Sequence, residues 1–315
     1  MNECANVTQA DAFLAALLDA EQLPAPATTR AYESALRALD AWLADKPVTD
    51  TTLAEYLRHR HDTDGVSYAT LEVIRAAVRF NAKLADVQSP DGSETALVLR
   101  RARRTAAARG RGQVAGVRWE QVDAAAAAAV ASNRGSSAAG IRDAALLAVM
   151  SDAMLRVGEA SALDWQDIVR EADGSGRLIV RRSKMGQKGE DATLYLGPAT
   201  MRRLDAWQKV SDARTGPLFQ RLDRAGNPRG SLSERSVRTI IARRVADAGV
   251  EGRVSGHSLR VGSAQSLVRA GASMAELKQA GRWQSDRNPA HYTRDERARS
   301  GAVARFRYGI EKTES

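Results

Sequence analysis

The stretch GHSLRVGSAQSLVRAG, Gly256–Gly271, sets His257 and Arg260 three residues apart at the head of a small and apolar run. Val261, Gly262, Ala264, Leu267 and Val268 follow them and read as a helix packed into a core. Residues three apart are neighbours on a helix. A helix start also presents outward-pointing N–H groups and the positive end of the dipole. An imidazole and a guanidinium fork placed there suit a phosphate. On these two residues alone a local cap and a surface ion pair is the plainer reading.

Three further groups bear on the same chemistry. SDAMLRVGEASALDW holds Arg156 and Glu159 at i and i+3 among apolar Met154, Leu155, Val157, Ala160 and Leu163. Glu159 in that position can hold the Arg156 guanidinium in place. Lys184 stands in a segment that reads as a hairpin tip, and GRWQSDRNPAHYTR holds Trp283 and Tyr292. Each has an ordinary structural explanation: a helical Arg–Glu pair, a turn lysine, a capping Trp and a half-exposed Tyr.

Taken together, the order Arg–x–x–Glu, hairpin Lys, His–x–x–Arg, Gly–x–Trp and Tyr resembles the tyrosine recombinases, also called phage-integrase-type recombinases, and among them the Cre-like subset. HSLRVGSAQSLVRAGASMAELKQAGRWQSDRNPAHYTR resembles the second signature box of that family, MLRVGEASALDWQDI the first, and RRSK the strand end that carries the family's lysine. The detailed likeness covers the C-terminal two thirds. Trp283 stands where many members have a histidine, as in the Cre-like subset.

The resemblance implies a reaction and a role for each residue. Arg156 and Arg260 would clamp the scissile phosphate, and His257 and Trp283 would add donors. Tyr292 would attack phosphorus to give a 3′-phosphotyrosine link and a free 5′-hydroxyl. Lys184 would protonate the leaving oxygen, and Glu159 would orient Arg156 and His257. No metal or nucleotide cofactor is implied, since arginines neutralise the phosphate, and the chain carries no GxxxxGK[ST] loop. The implied partners are double-stranded DNA with inverted-repeat sites and a homotetramer on two duplexes, working through a Holliday junction. Two alternatives stay open: a type IB topoisomerase-like enzyme and a non-cutting DNA-binding protein.

The elements that must position these residues are mostly helical. Thr28–Ala44, Thr51–Arg60 and Ser67–Leu84 show helical apolar spacing, and Ser67–Leu84 carries Arg75, Arg79 and Lys83 off its apolar stripe. These three are candidates for contact with a DNA groove. LRRARRTAAARGRGQ crowds Arg100, Arg101, Arg103, Arg104, Arg109 and Arg111 into one stretch, a solvated linker or a strap along a phosphate backbone. Loss of periodicity and glycine there place a domain boundary near Gly110–Gly116. Two Ala-rich helices follow, about Trp119–Ser132 and Ser136–Asp152. LIVRRS and ATLYL flank KMGQKGED as a β-hairpin or small antiparallel sheet with Lys184 and Lys188 at its tip. Helices resume over Ala199–Lys209, Glu234–Ala248, Ser258–Ala270, Met274–Ala280 and near Ser300–Ile310.

The fold class expected is therefore mainly α with a small β-sheet. A helical core-binding domain over 1–110 and a basic, glycine-containing linker over 111–117 precede a catalytic domain over 118–315. The resemblance implies that the two domains close round DNA as a C-shaped clamp. Ala302, Val303, Phe306 and Ile310 form a short apolar stripe, which by the same resemblance docks on a neighbouring subunit. The helical region begins almost at once, so no separate arm-binding domain is expected.

Bulk composition agrees with a polyanion partner. The 315 residues include 47 Lys and Arg against 38 Asp and Glu, a formal charge of +9. Aromatic residues are only 5% of the chain, so the core is mostly Ala, Leu and Val. The single cysteine, Cys4, excludes an internal disulfide. The apolar segment Ala12–Leu18 is short and flanked by Asp11 and Asp19, unlike a signal peptide. A protein of the bacterial cytoplasm or nucleoid, of phage or mobile-element origin, is expected.

Overall fold

The computed structural model describes residues 24, 26–44, 46–108, 114–132, 137–181, 191–299 and 301–309. Cys4, Ala12–Leu18, Arg109–Gly112, Lys184, Lys188 and Ile310 lie outside them. The chain divides into two compact units, Met1–Gly112 and Gln113–Ser315. Among the described residues no helix is long and apolar enough to cross a membrane.

The first unit holds four helices: α1 (Pro26–Leu43), α2 (Asp50–Asp62), α3 (Tyr68–Leu84) and α4 (Ser93–Ala108). Each sends an apolar stripe to one core. Leu36 and Leu39 come from α1, Leu53 and Leu57 from α2, Leu71 and Val78 from α3, and Leu99 and Ala102 from α4. Thr49 caps α2 and Ser67 caps α3 through their side-chain oxygens.

The Arg-rich stretch, a solvated linker or a strap by sequence, is helical as far as Ala108. Arg100, Arg101, Arg103 and Arg104 are exposed side chains of α4, while Val98 and Leu99 before them and Ala102 among them are buried. The start of α4 is secured from α2. The Asp50 carboxylate accepts from the backbone N–H groups of Gly92, Glu94 and Thr95 at 2.7–3.0 Å. Slight burial works against its ionisation, yet these amides bring its pKa down to about 2.

The second unit opens with the paired helices α5 (Trp119–Ala131) and α6 (Ser137–Asp152), followed by the short α7 (Val157–Ser161). A three-stranded antiparallel sheet comes next, in the order β1 (Ile168–Arg170), β2 (Gly176–Val180), β3 (Ala192–Leu196). The pairs run from Gly176 with Leu196 to Val180 with Ala192, the antiparallel arrangement that the alternation in LIVRRS and ATLYL predicts. The sheet gains β1 as a third strand.

After α8 (Pro198–Ser211) comes an unexpected hairpin, β4 (Gln220–Leu222) with β5 (Pro228–Ser231). Its turn is tied by Asp223, whose carboxylate accepts from the N–H groups of Ala225 and Asn227. The remaining helices are α9 (Glu234–Asp247), α10 (Ser258–Arg269), α11 (Met274–Gly281), α12 (Arg287–Tyr292), α13 (Arg294–Arg299) and α14 (Ala302–Tyr308).

The core of this unit gathers Leu146 and Val149 of α6, Trp207 of α8, Ile241 of α9 and Leu259 of α10. At its edge the fully buried Asp143 of α6 ties α9 in place. It accepts from Arg142, from Arg243 and from the buried Arg244. Residues 114–117, assigned to the linker by sequence, lie along this unit. Val117 is fully buried, its N–H donates to Ser258 O, and Ala115 N–H donates to Arg253 O.

Candidate active site

Five of the chemistry-bearing residues converge where α7, α10 and α11 end or begin, and Tyr292 joins them from the end of α12. His257 occupies the N-cap position of α10 but makes no side-chain cap bond. Ser255 and Ser258 pin that turn instead: His257 N–H donates to Ser255 Oγ, and Ser255 N–H to Ser258 Oγ. The imidazole is left to face Tyr292, with Nε2 3.0 Å from the phenolic oxygen. The two rings meet edge-on, their centroids 5.4 Å apart.

Arg260, one turn further on, is 1% exposed. Its guanidinium donates to the carbonyl oxygens of Met154 and Gly281 and lies 4.5 Å from the centroid of the Trp283 ring. Trp283 therefore packs as a lid on Arg260. Gly281 permits this, since a Cβ at that position would fall 2.1 Å from the indole. Burial, then repulsion from Arg156 and Arg282, pulls the Arg260 pKa down to about 10, so it stays charged at neutral pH.

Arg156 immediately precedes α7. Its backbone N–H donates to Glu159 Oε2 and its Nη1 to Glu159 Oε1, both at 2.8 Å. The Arg–x–x–Glu spacing thus makes Glu159 both the cap of the first turn and the grip on the guanidinium. The Arg156 side chain remains 53% exposed. Burial favours the neutral acid at Glu159, but the Arg156 amide, Arg282 and the Arg156 guanidinium outweigh it and hold the carboxyl below its ordinary range. Among the described residues Glu159 bonds arginines and not His257.

Lys184 lies outside the described residues, between β2 and β3. Of the DNA-contact candidates, Arg75 pairs with Glu72 and Arg79 with Asp91, both at 2.7 Å, while Lys83 and the four α4 arginines are exposed.

Two residues that bear on the site escape sequence reasoning. Arg282 donates to Glu159 Oε2 at 2.9 Å. The sequence signals it only as an arginine beside Trp283 in a turn. Gln265 donates from Nε2 to the backbone oxygen of Tyr292 at 3.2 Å and so ties α12 to α10. Its signal is a polar residue on an otherwise small and apolar helix.

An anion seated at this place would meet the exposed Arg156 fork beside the imidazole–phenol pair. That combination can stabilise negative charge on phosphorus-bound oxygens and activate a tyrosine nucleophile.

Relatives share this architecture. The chain is 30% identical over 183 residues to the Recombinase cre of Escherichia phage P1, a match spanning 53% of each chain, about half of either. Among solved structures it is similar to the XerH site-specific recombinase bound to palindromic difH substrate. That match has a TM-score of 0.66 at 17% identity and covers 87% of this chain and 79% of the other. It is also similar to a lambda integrase tetramer bound to a Holliday junction, with a TM-score of 0.62 at 20% identity, covering 91% and 76%. Residues 118–299, more than half of the sequence and most of the second unit, match the Phage integrase family, and to that family this chain belongs.

Proposed function

We propose that this protein is a site-specific DNA recombinase that cuts and rejoins strands through a 3′-phosphotyrosine intermediate and a Holliday junction. The observation that carries the reading is the 3.0 Å contact between His257 and Tyr292, set beside the Arg156–Glu159 pair and the buried Arg260. Tyr292 Oη attacks phosphorus and its proton passes to His257. The bond from phosphorus to the 5′-oxygen breaks, and Lys184 gives that oxygen its proton. Arg156 neutralises the non-bridging oxygens, while Arg260, capped by Trp283, supplies fixed positive charge behind them. A water molecule cannot replace the 5′-hydroxyl without losing the link, so rejoining reverses the same steps.

The second unit acts as the catalytic domain and the first as a core-binding domain. The exposed Arg100, Arg101, Arg103 and Arg104 of α4 and Lys83 of α3 support phosphate contact by the first unit. Arg75 and Arg79 contribute once their carboxylate partners release them. Four copies act on two duplexes at inverted-repeat sites, in the cytoplasm of a bacterium that carries the element.

The test is a covalent protein–DNA adduct. Supercoiled plasmid carrying the DNA that flanks the gene is incubated with the protein, quenched with detergent and run on a denaturing gel, and the modified peptide is mapped. An adduct on Tyr292 that vanishes in Tyr292→Phe is expected. Specific binding with no adduct would replace this reading with that of a non-cutting DNA-binding protein.

A further inference from the structure

Two non-glycine residues with left-handed backbones meet at one atom of the site. Met154 has φ 47° and Arg282 φ 53°. L-residues avoid this region, and those found there are held by their surroundings. The shared atom is the Met154 carbonyl oxygen, which accepts from the guanidiniums of both Arg260 and Arg282. The Arg282 side chain is only 13% exposed, and its Nε is buried with no hydrogen-bond partner. A turn position that favours glycine is thus occupied by an arginine whose charge is directed inward, onto Glu159.

The Glu159 carboxylate is divided between two arginines. Oε1 takes Arg156 Nη1, and Oε2 takes both the Arg156 backbone N–H and Arg282 Nη2. A carboxylate alone with an arginine tends to engage the guanidinium fork through both oxygens. We infer that Arg282 is a positioning residue: by occupying Oε2 it fixes the rotation of the Glu159 carboxylate, so that Arg156 is gripped through Nη1 alone and keeps the rest of its fork for a phosphodiester. Its charge also offsets that of Glu159, so the field of Arg156 and Arg260 is not cancelled where the anion binds. This rests on the strand-cutting reaction proposed above.

Arg282→Gly is the informative variant, because the left-handed backbone suits glycine and folding is favoured. Arg282→Gln, which keeps polarity without charge, is measured beside it. Each is compared with the unaltered protein for single-turnover adduct formation on the plasmid substrate, for DNA affinity and for thermal unfolding. Adduct formation should slow by about 10- to 100-fold, the loss that follows when a reacting group is misplaced. Affinity should hold. Added guanidinium chloride, well below denaturing concentrations, should restore part of the rate in Arg282→Gly and leave the unaltered protein unchanged. A merely structural role would not respond to that ion. Wild-type rate in either variant, or a slow Arg282→Gly that guanidinium does not rescue, overturns the inference while leaving the reaction standing. Absence of an adduct from the unaltered protein overturns both, and is distinguished because no chain then reacts.

Discussion

The charge state of His257 decides which way a proton moves between it and Tyr292. Burial, with Arg260 and Arg156 close by, pushes the imidazole below its ordinary pKa of about 6.5. At neutral pH the ring is therefore neutral, and Nε2 can accept the phenolic proton 3.0 Å away. Protonation removes that acceptor, and it sets in only as pH falls beneath 6.5. Adduct formation should be flat through neutrality and fall in acid with a midpoint below 6.5. Glu159, held below its ordinary 4.5, is ionised at neutral pH. In His257→Gln the rate should drop by about 10²-fold and the acid limb should disappear. A limb that persists in the variant, or a midpoint above 6.5, would assign the titration to another group. The sequence makes the short-range part of this site legible. Arg156 with Glu159 is a capping pair at the start of α7, and His257 and Arg260 both fall in the first turn of α10, so each couple is set by three-residue spacing. It does not show that Arg282 reaches Glu159, since that contact spans 123 residues and depends on a left-handed turn.

Helix α10 carries His257 and Arg260, and its own placement depends on an unusually close neighbour. The segment entering α5 runs along one face of it. Val117 N–H donates to Ser258 O, Trp119 N–H donates to Ser266 Oγ, and between these contacts a Cβ on Gly262 would fall 1.8 Å from Val117 O. Backbone cannot withdraw there as a side-chain end could. Gly262→Ala should therefore destabilise the protein by about 2–3 kcal/mol, although alanine is favoured over glycine within a helix by about 1 kcal/mol. Thermal unfolding should show a loss of roughly 5–10 °C. Gly158→Ala in α7 is the control, because its new methyl meets only the Glu234 carboxylate, at 3.1 Å, and that side chain can turn away. Equal melting temperatures for the two variants would show that α10 shifts freely. At this scale the long amphipathic helices and the β2–β3 pair are readable from periodicity. Helix α4 is not, because its N-terminal amides are satisfied by Asp50 from another helix and its arginines mask a narrow apolar stripe. Strands β4 and β5 escape because a segment with Pro228 and Gly230 lacks the residues that mark a strand.

For the whole molecule, the division at Gly112 and Gln113 falls inside the Arg- and Gly-rich stretch where periodicity lapses, although Val117 just beyond it is core. The charge excess says that DNA affinity should fall steeply with salt, but it cannot say how many copies act together. The last helix bears on that. Val303 and Phe306 of α14 lie three residues apart, hence on one side of a turn, and are 68% and 85% exposed. Apolar side chains presented together in this way suit a protein surface better than a phosphate backbone. Residues 300–315 include three basic and two acidic side chains, so their removal hardly alters the net charge that draws the protein to DNA. A chain ending at Arg299 keeps Arg156, His257, Arg260 and Tyr292. It should bind DNA with the same affinity and salt dependence and form the Tyr292 adduct on a single site. On a plasmid carrying two sites it should give no recombinant product, because exchange needs subunits held together. Phe306→Ser in the full chain should show the same separation in weaker form. Full recombination by the shortened chain would mean that subunits assemble through other surfaces, and that α14 has no part in joining them.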